Sequence, residues 1–133
     1  MSSASAQEVK KLMKNKNIGI VPILHDKTQK LIGVLTDRDL CLGVLVDGKN
    51  PKELKAADFM SKNPLTCKAE DDLQKAEDQM KKRQIGRIPI VDERGLCGGT
   101  ISQADVALKG GQAEEVYEMV REIFKRSARA KVA

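Results

Sequence analysis

The sequence predicts a mixed α/β (α+β) fold made of two copies of one unit, followed by a helix that only the second copy has. Three observations predict it. First, Ile18-Gly19-Ile20-Val21-Pro22-Ile23-Leu24 returns sixty-seven residues later as Ile85-Gly86-Arg87-Ile88-Pro89-Ile90-Val91, with Gly, Pro and Ile in register. Met13-Lys14 returns at the same offset as Met80-Lys81, and Gly33-Val34-Leu35-Thr36-Asp37-Arg38-Asp39 returns as Gly99-Thr100-Ile101-Ser102-Gln103-Ala104-Asp105, one residue closer. Second, short β-branched apolar runs alternate with segments of helical apolar spacing, the signs of strands and amphipathic helices. Third, an amphipathic stretch beyond residue 111 has no echo in the first copy. Two copies are too few for a solenoid, so the units are expected to pack face to face.

Residues 6–16 predict a helix, with Val9, Leu12, Met13 and Lys16 at helical spacing and a Ser5…Glu8 capping box at its start. Ile18 to Leu24 predicts a buried strand, Asp26 to Lys30 a turn, and Leu31 to Leu35 the return strand. A second helix runs from Thr36 to about Val46 with Leu40, Cys41, Val44 and Leu45 on its apolar side, and Asp47-Gly48-Lys49-Asn50-Pro51 stops it. The copies divide as 1–50 and 59–110, with 51–58 as linker and 111–133 as a C-terminal helix. The second copy opens with a loop and short strand, Met60 to Cys67, whose counterpart would fall before Met1; the first copy is thus expected to lack its leading strand. Then come a helix over Glu70 to Arg83 with Leu73, Ala76 and Met80 inward, a strand over Ile88 to Val91, a turn at Glu93-Arg94-Gly95 and a strand over Cys97 to Ile101. A short helix over Ser102 to Leu108 ends at Gly110-Gly111. The last helix, about Ala113 to Ala128, has Val116, Met119, Val120, Ile123 and Phe124 on one face, which is expected to pack inward.

Composition narrows the function classes. Hydrophobic residues make up 41% and charged residues 32% of 133, a soluble globular balance with room for a core. Aromatics are 2%, which disfavours single-strand nucleic-acid binding by base stacking. The net charge of +5 suits an anionic ligand, yet much of the excess lies in the last helix, where Lys125, Arg126, Arg129 and Lys131 are expected to be solvated and to complement the helix dipole. Cys41, Cys67 and Cys97 have neither metal nor redox spacing and are expected to be small buried hydrophobes in a reducing compartment. No apolar run is long enough for a bilayer and the first residues lack a signal-peptide core, so the expected location is the cytoplasm. One histidine, His25 in a turn, and scattered cysteines assemble no triad and no metal set.

The chemistry sits in the repeat. Gly33 to Asp39 and Gly99 to Asp105 each place a hydroxyl, Thr36 or Ser102, where a strand hands over to a helix, with an Asp three residues on. The hydroxyl can cap the helix, and free N–H groups at a helix start favour phosphate. The carboxylate repels phosphate but accepts hydrogen bonds from a ribose diol, so Asp39 and Asp105 are assigned to the sugar. Arg38 is the phosphate partner in the first copy; Ala104 stands there in the second, leaving Arg87 and Lys68 as candidates. The bland alternative is an ordinary helix start, and two in register within a repeat argue for more. Gly19 and Gly86 could simply end the preceding helices, and Pro22 and Pro89 could mark strand edges. On a functional reading, Pro-interrupted strands leave backbone groups to read a flat base, and Thr66 adds a hydroxyl.

The double pattern Ile18-Gly19-x-x-Pro22 … Gly33-x-x-Thr36-Asp37-Arg38-Asp39, then Met60-x-x-x-Pro64-x-Thr66 … Ile85-Gly86-x-x-Pro89 … Gly99-x-x-Ser102-x-x-Asp105, resembles a tandem CBS-domain pair, the Bateman module. The resemblance covers about residues 5–109. It implies two β-α-β-β-α repeats related by a pseudo-twofold axis, packed sheet to sheet around a cleft, with regulation rather than catalysis as the task. It implies an adenosine-containing ligand (AMP, ADP, ATP or S-adenosylmethionine, sometimes NAD), no resident cofactor, a homodimer and a regulated protein outside this chain. Position by position it implies that Asp39 and Asp105 hold ribose hydroxyls and that Thr36, Arg38 and Ser102 face phosphate. Gly19, Ile20, Val21 and Pro22, with Gly86, Arg87, Ile88 and Pro89 and with Thr66 and Cys67, would border the base. The competing reading is a structural dimerisation module with degenerate pockets; nucleic-acid binding through the basic tail ranks third.

Overall fold

A computed structural model describes residues 1–109 and 112–130, with side chains through Lys125. Helix α1 (Ala6–Lys16) starts as predicted: Ser5 Oγ accepts from the Glu8 N–H and Glu8 Oε2 from the Ser5 N–H, at 3.2 and 2.8 Å. It ends at Asn17 in the left-handed region (φ 52°), two residues before Gly19. Val9 and Met13 are buried; Leu12, expected on the same stripe, is 41% exposed. Strand β1 (Ile20–Leu24) pairs antiparallel with β2 (Leu31–Thr36) from Ile20–Thr36 to Leu24–Leu31. Ile18, expected in that strand, lies before it and is exposed.

Helix α2 (Asp37–Leu40) continues as a π-helix over Cys41–Val46. The wider i→i+5 turn rotates the predicted stripe. Val44 is buried, whereas Leu45 and Cys41 are exposed, contrary to the expectation for both. The expected linker holds a helix, α3 (Ala56–Phe59), and the segment after it forms β3 (Ser61–Lys62) on the outer side of β2.

The second copy repeats the plan. Helix α4 (Leu73–Arg83) starts later than expected, after Asp72, and ends at Gln84 in the left-handed region (φ 55°). Strands β4 (Arg87–Val91) and β5 (Cys97–Ser102) pair, and Cys67 adds a parallel bridge to Ile90. Helix α5 (Gln103–Lys109) and helix α6 (Ala113–Ala130) complete it. The glycine stop at Gly110-Gly111, Lys131 and the side chains of Arg126 and Arg129 lie outside the described residues. No described helix is long and apolar enough to cross a membrane.

The chain divides into two units. The first is Met1–Pro64 with Arg94–Cys97, and the second is Leu65–Glu93 with the chain from Gly98 onward. This differs from the expected copy boundaries, because Phe59 to Pro64 stays with the first unit. Pairing of Ser61 and Lys62 with Val34 and Gly33 holds that segment there, and the chain just before it is tied to the N-terminus by Ala6 N–H to Leu54 O, Ala56 N–H to Ala4 O and Ala57 N–H to Ser2 O, at 2.8 to 3.2 Å. The Arg94–Cys97 turn joins the same unit through the Leu31 N–H, which donates to Gly95 O at 2.9 Å.

Each unit has its own core, and neither uses an aromatic residue at its centre. Val9, Met13, Val21, Ile23, Leu35 and Ala56 form the first, with Phe59 and Met60 packed on it. Cys67, Ala76, Met80, Ile88, Val106 and Met119 form the second, joined by Val116, Val120 and Ile123 of α6. The last helix therefore packs inward, except Phe124, which is exposed. A fully buried side chain such as Ile23, Leu35 or Met80 contributes about 1.5–3 kcal/mol through surface removed from water.

Candidate functional site

In both units the same bonds bring the separated parts of the motif together. The first helical N–H after the hydroxyl donates back to the motif glycine: Asp37 N–H to Gly19 O at 3.0 Å, and Gln103 N–H to Gly86 O at 2.9 Å. This ties the residue before the first strand to the start of the helix after the second. The glycines do not end the preceding helices; Asn17 and Gln84 do.

The hydroxyl–aspartate pairs are closed capping boxes. Thr36 N–H donates to Asp39 Oδ2 at 2.9 Å and Asp39 N–H to Thr36 Oγ1 at 3.1 Å. In the second unit Ser102 N–H donates to Asp105 Oδ2 at 2.8 Å, Ser102 Oγ to the same oxygen at 3.0 Å, and Asp105 N–H to Ser102 Oγ at 3.2 Å. The backbone and hydroxyl bonds from Ser102 hold the Asp105 carboxyl below the usual aspartate range against a smaller opposing effect of burial, so it is ionised at neutral pH. Both carboxylates bond through Oδ2, and Oδ1 takes no bond among the described residues. The structural role and an acceptor role towards an incoming hydroxyl are compatible.

The other expected residues fall into two groups. Gly19, Ile20, Pro22, Thr66 and Gly86 are half-buried, and Arg38 and Arg87 are exposed. Arg38 makes no ion pair among the described residues, so its guanidinium is available to an anion. Val21, Ile88, Pro89 and Cys67 are buried, with Val21 in the first core and Ile88 and Cys67 in the second. Cys67 donates its N–H to Pro89 O at 3.1 Å and accepts from the Val91 N–H at 2.9 Å. Those backbone groups are spent on strand pairing, so at Pro89 the expected free edge is occupied. The physical reason is that residues 66–67 supply the neighbouring strand that β4 would otherwise lack. Burial pushes the Cys67 thiol above its ordinary range, which fits a packing role.

Two residues were not singled out by the sequence. Gln103 packs its amide 3.5 Å from where a Cβ on Gly86 would stand, and its Oε1 is buried without a hydrogen-bond partner among the described residues. Glu77 is buried on α4. Its spacing from Leu73 and Met80 was a readable signal, since i+4 and i+7 from Leu73 lie on one face. No group of three or more His, Cys, Asp or Glu among the described residues is arranged to hold a metal ion.

Comparison with known proteins matches this arrangement. A family model described as CBS domain matches residues 2–45 and 56–109. An uncharacterised protein of Methanopyrus kandleri, MK0525, is 35% identical over 102 residues, covering 77% of this chain and 52% of its own. The CBS domain-containing protein YhcV of Bacillus subtilis is 35% identical over 106 residues, covering 77% of this chain and 70% of its own. The chain thus spans about half to two-thirds of the length of these relatives. Among solved structures, the CBS domain pair of protein MJ0100, in complex with 5'-methylthioadenosine and S-adenosyl-L-methionine, superposes with a TM-score of 0.70 at 25% identity, covering 80% of this chain and 82% of that one.

Proposed function

Because the chain belongs to the CBS-domain family and carries the domain twice, we propose that it is a regulatory sensor that binds an adenosine-containing ligand and performs no catalysis itself. The observation that carries this reading is the doubled set of Gly–helix bond and capped carboxylate, each with Oδ1 unengaged. In it, Asp39 and Asp105 hold ribose hydroxyls while Thr36, Arg38 and Ser102 face the anionic part of the ligand. The half-buried Gly19, Ile20, Pro22 and Gly86, with Thr66, border the base. The ligand of the MJ0100 pair supports an adenosyl group and makes S-adenosylmethionine and 5'-methylthioadenosine the first compounds to try, ahead of AMP, ADP and ATP. A protein outside this chain receives the signal.

The test is thermal melting with each compound, followed by equilibrium dialysis. A ligand that binds only the native state at 100 times its dissociation constant adds about 2.7 kcal/mol and must raise the midpoint. Asp39→Ala and Asp105→Ala should each weaken binding about tenfold or more in dialysis, a readout that a lowered melting point alone does not move. No binding of any of them at millimolar concentration defeats the reading.

A second reading is favoured by one observation: Leu42, Leu45 and Val46 on the π-helix are 48%, 75% and 72% exposed. This makes the chain a homodimeric scaffold in which the capped carboxylates serve structure alone. It predicts a dimer in sedimentation and no nucleotide response.

A further inference from the structure

Helix α4 carries an acid where its spacing calls for an apolar residue. Leu73, Ala76, Glu77 and Met80 share one face, and α6 packs over it. Glu77 is 2% exposed, and its Oε1 has no hydrogen-bond partner among the described residues. The nearest cation, Lys81, holds its Nζ 3.8 Å from Oε1, beyond hydrogen-bond reach, and stands equally far from Asp78 Oδ1. An ionised carboxylate enclosed this way is costly.

Every charge that acts on Glu77 among the described residues comes from two helices. Lys81 and Asp78 lie on α4, and Glu115 and Glu118 on α6; α5 and β4 supply none. Burial first, and the three acids after it, hold the Glu77 carboxyl above the usual glutamate range, with Lys81 opposing. The first copy is an internal control. The equivalent residue is Lys10 on α1, which is exposed.

We propose that α6 is a proton-controlled clasp on the second unit: it docks firmly over Glu77 when that carboxyl carries a proton and loosens when the carboxyl ionises, baring Val116, Met119, Val120 and Ile123. The sign follows from linkage. The docked state holds the proton more tightly than the released state, so docking is favoured as pH falls and is lost as pH rises through the raised value.

The chain contains one tyrosine and no tryptophan, and Tyr117 lies on α6 at 67% exposure. Its fluorescence anisotropy therefore reports on that helix. On titrating the full chain from about pH 8 to about pH 5, below tyrosine's own ionisation, anisotropy and melting midpoint should both rise. Glu77→Gln should hold anisotropy at the docked value throughout and raise the alkaline-side midpoint by about 3 °C or more. Glu115→Gln/Glu118→Gln, on the outer helix, should keep the transition and move it to lower pH, because fewer like charges oppose ionisation of Glu77. A flat wild-type profile, an unchanged slope in Glu77→Gln, or an unmoved transition in the double variant would overturn the proposal.

Discussion

The two units share a motif and differ in what covers it. In the first, the chain from Leu54 to Lys62 returns to bond with residues 2–6 and lays β3 along β2, with Met60 pressed on Gly33. In the second, α6 covers α4, and at Gly99, the counterpart of Gly33, a Cβ would meet nothing within 4 Å among the described residues. The Gly–helix bond and the backbone bonds of the capping box nonetheless differ by only 0.1 Å between units: 3.0 and 2.9 Å, 2.9 and 2.8 Å, and 3.1 and 3.2 Å. Local chemistry is thus set by the repeated residues. Closure is set by segments outside the repeat, and those segments are where the units have diverged.

The largest expected effect tests the covering of the second unit. Met119 is fully buried and anchors α6 in the core, so Met119→Ala should cost about 2–5 kcal/mol in urea unfolding. A loss below 1 kcal/mol would mean that α6 contributes little to that unit.

Next comes the matched glycine pair. A Cβ on Gly33 would collide with Met60 Sδ, approach Met60 Cγ to 2.8 Å and stand 2.9 Å from the backbone carbonyl of Ser61. The methionine tip can move but the carbonyl cannot, because β3 is paired there. Gly33→Ala should therefore cost about 1–3 kcal/mol, whereas Gly99→Ala should fall within about 0.5 kcal/mol of wild type. Equal effects would remove the asymmetry argued above.

Much of this was legible beforehand, for physical reasons that can be named. The repeat, the helices and the Ser5, Thr36 and Ser102 starts are local: a hydroxyl, an acid three residues on, and apolar spacing suffice. A short strand within Met60 to Cys67 was expected, but its place at Ser61–Lys62 and its pairing with β2 of the first copy were not legible, since two exposed residues carry no period. The π-helix at Cys41–Val46 escaped because its apolar residues fit a 3.6 period equally well until the hydrogen bonds are known. At the candidate site, Asp39 and Asp105 were found by pattern. The burial of Ile88, Pro89 and Cys67 depends on a strand neighbour that pattern does not reveal. Glu77 was readable by spacing, but its burial requires α6, which has no counterpart to compare.

The smallest expected effect separates the two capping boxes. Thr36 Oγ1 accepts one bond, while Ser102 Oγ both accepts from the Asp105 N–H and donates to Asp105 Oδ2. Thr36→Ala and Ser102→Ala should each cost about 1 kcal/mol, with Ser102→Ala the larger. Acid titration tests the same difference independently. The folded chain binds a proton at Asp105 less readily than the unfolded chain, so this contribution is intact above the ordinary aspartate range and is lost as pH falls through the depressed value. Ser102→Ala removes the hydroxyl bond but keeps the larger backbone N–H bond, so it should make the acid limb of the stability curve shallower without abolishing it. Glu77 has the opposite sign in the same unit, so Glu77→Gln should flatten the limb at higher pH and leave the acid limb standing. If one variant altered both limbs equally, the two carboxylates would be coupled, and the separation of motif from cover in the second unit would fail.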